Sequence, residues 1–143
     1  MSISSRRPDH RLDFSWLRQL ESIDEALGYY RHLSSVSAFI DNQRLSRVTI
    51  AVVAQAIGIS PNHLSRLFQE KLGVSFHDWL TLRRVREATR LLQARQISAS
   101  QAAHVSGFAS YRSFVRAFKD VIGITPTKYR KLIEEALLAH VRE

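Results

Sequence analysis

The feature that most limits what this chain can fold into is a segment that recurs once, some fifty residues on. Ala54 and Gly58 return as Ala103 and Gly107, and Ser60, Arg66, Phe68 and Gly73 return as Ser110, Arg116, Phe118 and Gly123. Between these anchors Leu64 matches Phe114, Glu70 matches Asp120, Val74 matches Ile124 and Ser75 matches Thr125. The second copy has one extra residue in its turn. A solenoid needs about three or more repeats to be stable, so two copies describe a paired module rather than an array. Each copy spells helix, tight turn, helix. Ala54 and Ala103 are small enough for two helices to cross closely, and Gly58 and Gly107 give the turn its backbone freedom. Ser60 and Ser110 are suited to cap the second helix.

Around the repeat, apolar residues recur three and four apart and strand-like alternation is absent. The expected fold is therefore all-α: two tandem helix-turn-helix units joined by a long connecting helix, with an N-terminal helical extension. Helices are expected at 14–31, 34–42, 49–57, 61–72, 76–94, 99–106, 111–122 and 126–141. Pro61 and Pro126 each follow a Ser or Thr, the arrangement of an N-cap followed by proline in the first helical position. The reading divides the chain into an extension, 1–33, and a second part, 34–143. The second part holds one helix-turn-helix at about 49–72, the connector at about 76–94, the other helix-turn-helix at about 99–122 and a C-terminal helix at about 126–141.

Charge adds a partner class. The net charge is +8, and it is unevenly placed. Residues 44–131 hold 15 Lys/Arg against 4 Asp/Glu, whereas the flanks are net acidic. A basic block of this kind suits a polyanion, with a solvated basic surface as the plain alternative. In each repeat the second helix has a buried stripe, Leu64, Leu67 and Phe68 or Phe114, Ala117 and Phe118. The opposite face presents Asn62, Ser65 and Arg66, and then Tyr111, Arg112 and Arg116, with His63 and Ser113 at its margin. In a major groove Arg can bond bidentately to guanine and Asn to adenine, and the N-terminal part of a recognition helix reaches the base edges. Ser60, His63, Arg90 and Ser110 are candidates for phosphate contacts or for the margin of the site. Arg83, Arg86 and Arg90 of the connector are expected to remain available to solvent or phosphate. A connector over 75–93 would be about 28 Å long at ~1.5 Å per residue, against the ~34 Å between major grooves on one DNA face.

These residues resemble the DNA-binding domain of the AraC/XylS family of bacterial regulators. The first unit reads AVVAQAIGISPNHLSRLFQEKLGVSF, the linking helix WLTLRRVREATRLL, and the second unit AAHVSGFASYRSFVRAFKDVIGITPTKYR. The G-F-x-S…F-x-x-x-F-K…G-x-T-P-x-x-Y-R pattern over Gly107–Arg130 is highly specific. The resemblance covers about 34–131 and implies that the second helix of each unit enters successive turns of the major groove. It puts the base-contacting positions on Asn62, Ser65 and Arg66, and on Tyr111, Arg112, Ser113 and Arg116. Two departures stand in the second unit: Ala102-Ala103 where the family usually has Ile-Ala, and Ser106 where an apolar residue is usual. Looser packing is expected there. The 33 or so N-terminal residues cannot hold the family's effector-binding β domain, so the chain is similar to the small members or to a DNA-binding half.

The implied function is sequence-specific binding of double-stranded DNA and regulation of bacterial transcription, activation being the family's bias and RNA polymerase a further partner. A general nucleic-acid binder and a protein-interaction module of the same fold are the alternatives. Trp16, Leu20, Ile23, Leu27 and Tyr30 form an apolar stripe. It fits docking on the chain's own core, ahead of a weak dimer seam or contact with another protein. No cysteine is present, which excludes disulfides and thiolate zinc sites. The histidines do not group as a metal site, and no phosphate loop or catalytic constellation emerges, so neither an enzyme nor a cofactor is expected. No secretory signal is read in Met1–His10 and no apolar run is long enough for a bilayer, so a cytoplasmic location is expected. The tandem repeat makes one chain already bipartite, so a monomer on DNA is expected, or a weak dimer through the N-terminal extension.

Overall fold

The computed structural model describes residues 14–94 and 97–142; the start of the expected extension, Met1–His10 included, lies outside the described residues. The described residues are helical, with no strand: α1 (Ser15–Leu27), α2 (Ser34–Asp41), α3 (Ile50–Ile57), α4 (Pro61–Leu67), α5 (Phe76–Leu92), α6 (Ala99–Val105), α7 (Tyr111–Ile122) and α8 (Pro126–Arg142). A 3-10 turn, Leu45–Arg47, links α2 to α3, and a π turn, Phe68–Leu72, closes α4. The fold class is the expected one, and helix starts follow from the capping residues. The side chain of Thr49 accepts a hydrogen bond from the Val52 N–H, Ser60 from His63, Ser75 from Asp78 and Ser98 from Gln101, at 3.0–3.1 Å. Each satisfies a donor that the first helical turn would otherwise leave unpaired.

The connecting helix α5 is the axis of the molecule. Phe76, Trp79, Leu80, Leu82, Val85, Ala88 and Leu92 are all buried, around most of its circumference. The first helix-turn-helix packs on its N-terminal end through Phe68, whose ring lies 5.3 Å from Phe76 and 5.4 Å from Trp79. The second, with α8, closes on the other side around Phe114, Phe118 and Tyr129. The distal half of α8 carries the exposed Leu137 and Leu138.

The N-terminal stripe docks on the chain's own core. Trp16, Leu20, Ile23 and Leu27 are buried, and Asp24 joins them to α5. Its carboxylate accepts from the Trp79 indole N–H at 2.8 Å and from Arg83 at 3.4 Å, with Arg86 at 3.6 Å. Arg83 also meets Asp41 of α2 at 2.6 Å. The expectation that Arg83, Arg86 and Arg90 stay available to solvent or phosphate fails for the buried Arg83 and holds for the exposed Arg90, with the half-buried Arg86 between them. Arg83 is buried between two carboxylates, Arg86 shares Asp24, and Arg90 holds Glu87 at 2.6 Å. Burial of a guanidinium demands such partners.

The two helix-turn-helix units are tied to each other by the 3-10 turn. One nitrogen of Arg84 donates to the carbonyls of Leu45 (3.0 Å) and Val48 (3.1 Å), and its burial lowers the guanidinium's pKa. Gly107 also meets this turn, with φ +97°; a Cβ there would stand 2.7 Å from the Leu45 backbone. This glycine answers two needs, a left-handed backbone and a missing side chain. The unusual Ser106 is fully buried, and its hydroxyl donates to the Ala102 carbonyl at 2.6 Å.

Candidate nucleic-acid interface

Each recognition helix begins at a capped end and shows one face outward. In α4, Leu64 is fully buried while Asn62, Ser65 and Arg66 are exposed. Helical spacing places these three together, away from the core. In α7, Phe114 and Phe118 are fully buried, while Tyr111, Arg112, Ser113 and Arg116 are exposed. The Tyr111 ring leans on Phe114, centroids 5.9 Å apart, so the helix start carries an aromatic group held in place by the core.

The cap geometry bears on four of the candidate residues, Ser60, His63, Ser110 and Ser113. The hydroxyls of Ser60 and Ser110 accept the backbone N–H of His63 and Ser113 at 3.1 and 3.0 Å. Ser113 returns the contact: its hydroxyl accepts from the Ser110 N–H at 3.2 Å and lies 2.9 Å from the Ser110 carbonyl. Ser113 is thus half of a reciprocal capping box that orders the start of α7. His63 is half-buried and stacks edge-on against His32, centroids 5.7 Å apart.

The arginines separate into two groups. Arg66, Arg112 and Arg116 form no ion pair with any described residue, and each is exposed on a recognition helix. Arg83 and Arg86 are committed to internal carboxylates. Arg90 is exposed, but two of its three guanidinium nitrogens donate to Glu87, at 3.0 and 2.6 Å; that hydrogen bonding and the adjacent negative charge raise its pKa. Sequence reasoning could not separate these groups, because the carboxylates facing Arg83 lie 59 and 42 residues away in the chain. Beside α7, Arg116 and Ser113 line a cleft together with His77, Arg84 and Asp120. Among the described residues no group of His, Asp and Glu could hold a metal ion, and no helix is long and apolar enough to cross a membrane.

A family model described as a helix-turn-helix domain matches residues 53–132, which run from α3 into α8. The arabinose operon regulatory protein of Escherichia coli K12 is 32% identical over 122 residues, 83% of this chain and 42% of that protein. The HTH-type transcriptional activator AarP of Providencia stuartii is 30% identical over 98 residues, covering 68% of this chain and 73% of that protein. Against several longer relatives the chain spans only part of their length, 34%, 24% and 42% in three cases. Among solved structures, a transcriptional regulator from Chromobacterium violaceum, described as containing an AraC-type DNA-binding domain, superposes with a TM-score of 0.63 at 26% identity. It covers 71% of this chain and 91% of that one. With its tandem units, its shared connecting helix and these relatives, the chain belongs to the AraC-type helix-turn-helix family of DNA-binding transcription regulators.

Proposed function

We propose that residues 34–143 read duplex DNA sequence-specifically as a monomer, α4 and α7 entering two major-groove segments on one face of the duplex. Asn62, Ser65 and Arg66 read bases in one segment, and Tyr111, Arg112 and Arg116 in the other. Ser113 sets the start of α7 and lies close enough to contribute a contact. Ser60, Ser110 and His63 stand at the margins against phosphate. The observation that carries the reading is the set of unpaired arginines, Arg66, Arg112 and Arg116, on the exposed faces of two equivalent helices. An arginine without an internal carboxylate keeps its donor fork free for guanine. Spacing supports it too: α5 has 17 residues, about 26 Å at ~1.5 Å per residue, so the two readers fall near one turn of B-DNA apart. The regulated step is transcription in the cytoplasm, and the direction is activation through contact with RNA polymerase, the direction named for AarP.

Selection of bound duplexes from a random pool tests this. The wild-type chain should enrich a site in two parts separated by about one helical turn. Arg66→Ala and Arg116→Ala should each lose discrimination in a different part, by about 1–3 kcal/mol. Equal losses on selected and random DNA would reassign both residues to phosphate, and a one-part site would refute the tandem reading.

A further inference from the structure

We infer that the turn between α1 and α2, residues 28–33, is a third DNA contact, meeting the phosphate backbone that borders the groove entered by α4. The inference rests on α4 being a groove reader. It concerns a surface outside the matched helix-turn-helix domain, which begins at residue 53.

The turn's position carries the argument. The His32 ring lies against that of His63, centroids 5.7 Å apart and planes at 62°, and His63 directly follows the exposed Asn62 in the first turn of α4. Two residues earlier, the Tyr30 ring lies 5.7 Å from the Lys71 ammonium, in the π turn that ends the same helix. The turn therefore borders α4 along its length. A helix with its side chains is about 10–12 Å across and the major groove is about 12 Å wide. Whatever stands on the flank of a helix seated in that groove stands at the groove wall, and the wall is phosphate.

The chemistry and the stiffness of the turn suit that wall. Arg31 and His32 are exposed, as is Tyr29 at 75%. Arg31 forms no ion pair with a described residue, and no acidic residue lies between Glu25 and Asp41. The one carboxylate in 61–72 is Glu70, beside Lys71 and far along the chain from His63, so no carboxylate of that stretch adjoins Asn62. The turn is anchored by the fully buried Leu33, whose N–H bonds the Tyr30 carbonyl at 3.0 Å. The Ser34 N–H bonds the same carbonyl at 2.8 Å, and the Ser34 hydroxyl donates to the Arg31 carbonyl at 3.0 Å. A contact offered from an ordered backbone loses little freedom on binding. Phosphate contacts position a protein without reading sequence, so the turn adds affinity and salt dependence and leaves selectivity alone.

The test compares the full chain with Arg31→Ala/His32→Ala, with the charge reversal Arg31→Glu, and with Arg66→Ala. Each is titrated over a range of salt with two probes: a duplex enriched by the wild-type chain from a random pool, and a scrambled duplex of the same length. The double variant should bind both probes about three- to tenfold more weakly and lower the salt slope by about one. Arg31→Glu should weaken both further, with helicity and melting temperature as in the wild type. Arg66→Ala should lose affinity on the enriched probe alone. Wild-type affinity and salt slope in the double variant and in Arg31→Glu, alongside the expected loss in Arg66→Ala, would overturn the third contact and leave the reading of α4 standing. No selective loss in Arg66→Ala would overturn that reading, and the third contact with it.

Discussion

Replacing Gly107 with alanine isolates the contact that locks the two helix-turn-helix units together. Two costs add at this position. Its φ of +97° is a conformation that an L side chain reaches at about 1–2 kcal/mol. The new Cβ would also stand 2.7 Å from the Leu45 carbonyl carbon and oxygen and 2.9 Å from the Ser46 nitrogen. These are backbone atoms, so a rotamer change cannot relieve the overlap. Forcing an extra methyl into a filled site costs about 1–3 kcal/mol, which brings the total to about 2–5 kcal/mol. Gly58 is the matched control, because it stands at the equivalent turn with φ +82° and nothing within 4 Å of an added Cβ. Gly58→Ala carries only the backbone strain of about 1–2 kcal/mol, and the unfolded-state gain from losing a glycine is common to both. The difference between the two variants in urea denaturation should thus be about 1–3 kcal/mol, all of it from the Leu45 contact. Because Arg84 also holds this turn, displacing the turn should weaken binding to a two-part duplex more than to a half-site. Equal destabilisation by the two substitutions would show that the turn is not wedged, and the coupling argument would fail.

Three further outcomes follow from the packing. Asp24→Ala strands the Trp79 indole N–H and half-unpairs the buried Arg83, and should cost about 2–4 kcal/mol in denaturation. Asp24→Asn keeps the acceptor for Trp79 and should be milder by about 1 kcal/mol; equal costs would shift the loss to the charge on Arg83. Ser106→Ala should change stability by less than about 1 kcal/mol, because the Ala102 carbonyl keeps the bond from the Ser106 N–H at 3.0 Å, whereas Ser106→Leu should cost about 1–3 kcal/mol. Arg86→Pro should remove about 3 kcal/mol of α5 stability, and by uncoupling the readers it should reduce affinity for a two-part duplex far more than Arg86→Ala does. Matching affinities in a helical Arg86→Pro chain would refute a rigid connector.

The helices and the outward faces of α4 and α7 were legible in the sequence because local chemistry sets them. Caps at Ser60 and Ser110 mark the starts of the second helices, and the spacing of Leu64 with Phe68, and of Phe114 with Phe118, marks the buried sides. What the sequence left hidden depends on distant partners. Arg83 reads as a solvent arginine until Asp24 and Asp41 come to face it. The end of α4 reads as ordinary helix, yet Phe68–Leu72 widens to a π turn where Phe68 wedges against Phe76 and Trp79. The expected first helix reaches past Gly28, whereas α1 stops at Leu27 and the next residues form the turn beside α4. Ser113 falls at the margin of the reading face by spacing, and only the folded chain reveals that its hydroxyl closes the cap with Ser110. The role of Gly107 was half legible: the turn called for a glycine, but the Leu45 backbone above it did not announce itself.

The bridge from Asp24 to Trp79 spans 55 residues of chain, and this has a consequence on the ribosome. At about 5–20 residues per second, Trp79 is made roughly 3–11 s after Asp24, so for those seconds the apolar side of α1 lacks the α5 part of its docking surface. Helix formation itself takes on the order of a microsecond, so α1 can coil and uncoil many times before its partner emerges. When α5 does appear, the buried side of α1 and the carboxylate of Asp24 meet it together, and α1 docks in the same event that gives Arg83 its counter-charge. Slowing elongation between codons 25 and 80 would lengthen the exposure of that apolar stripe, and chaperone occupancy on nascent chains would register it.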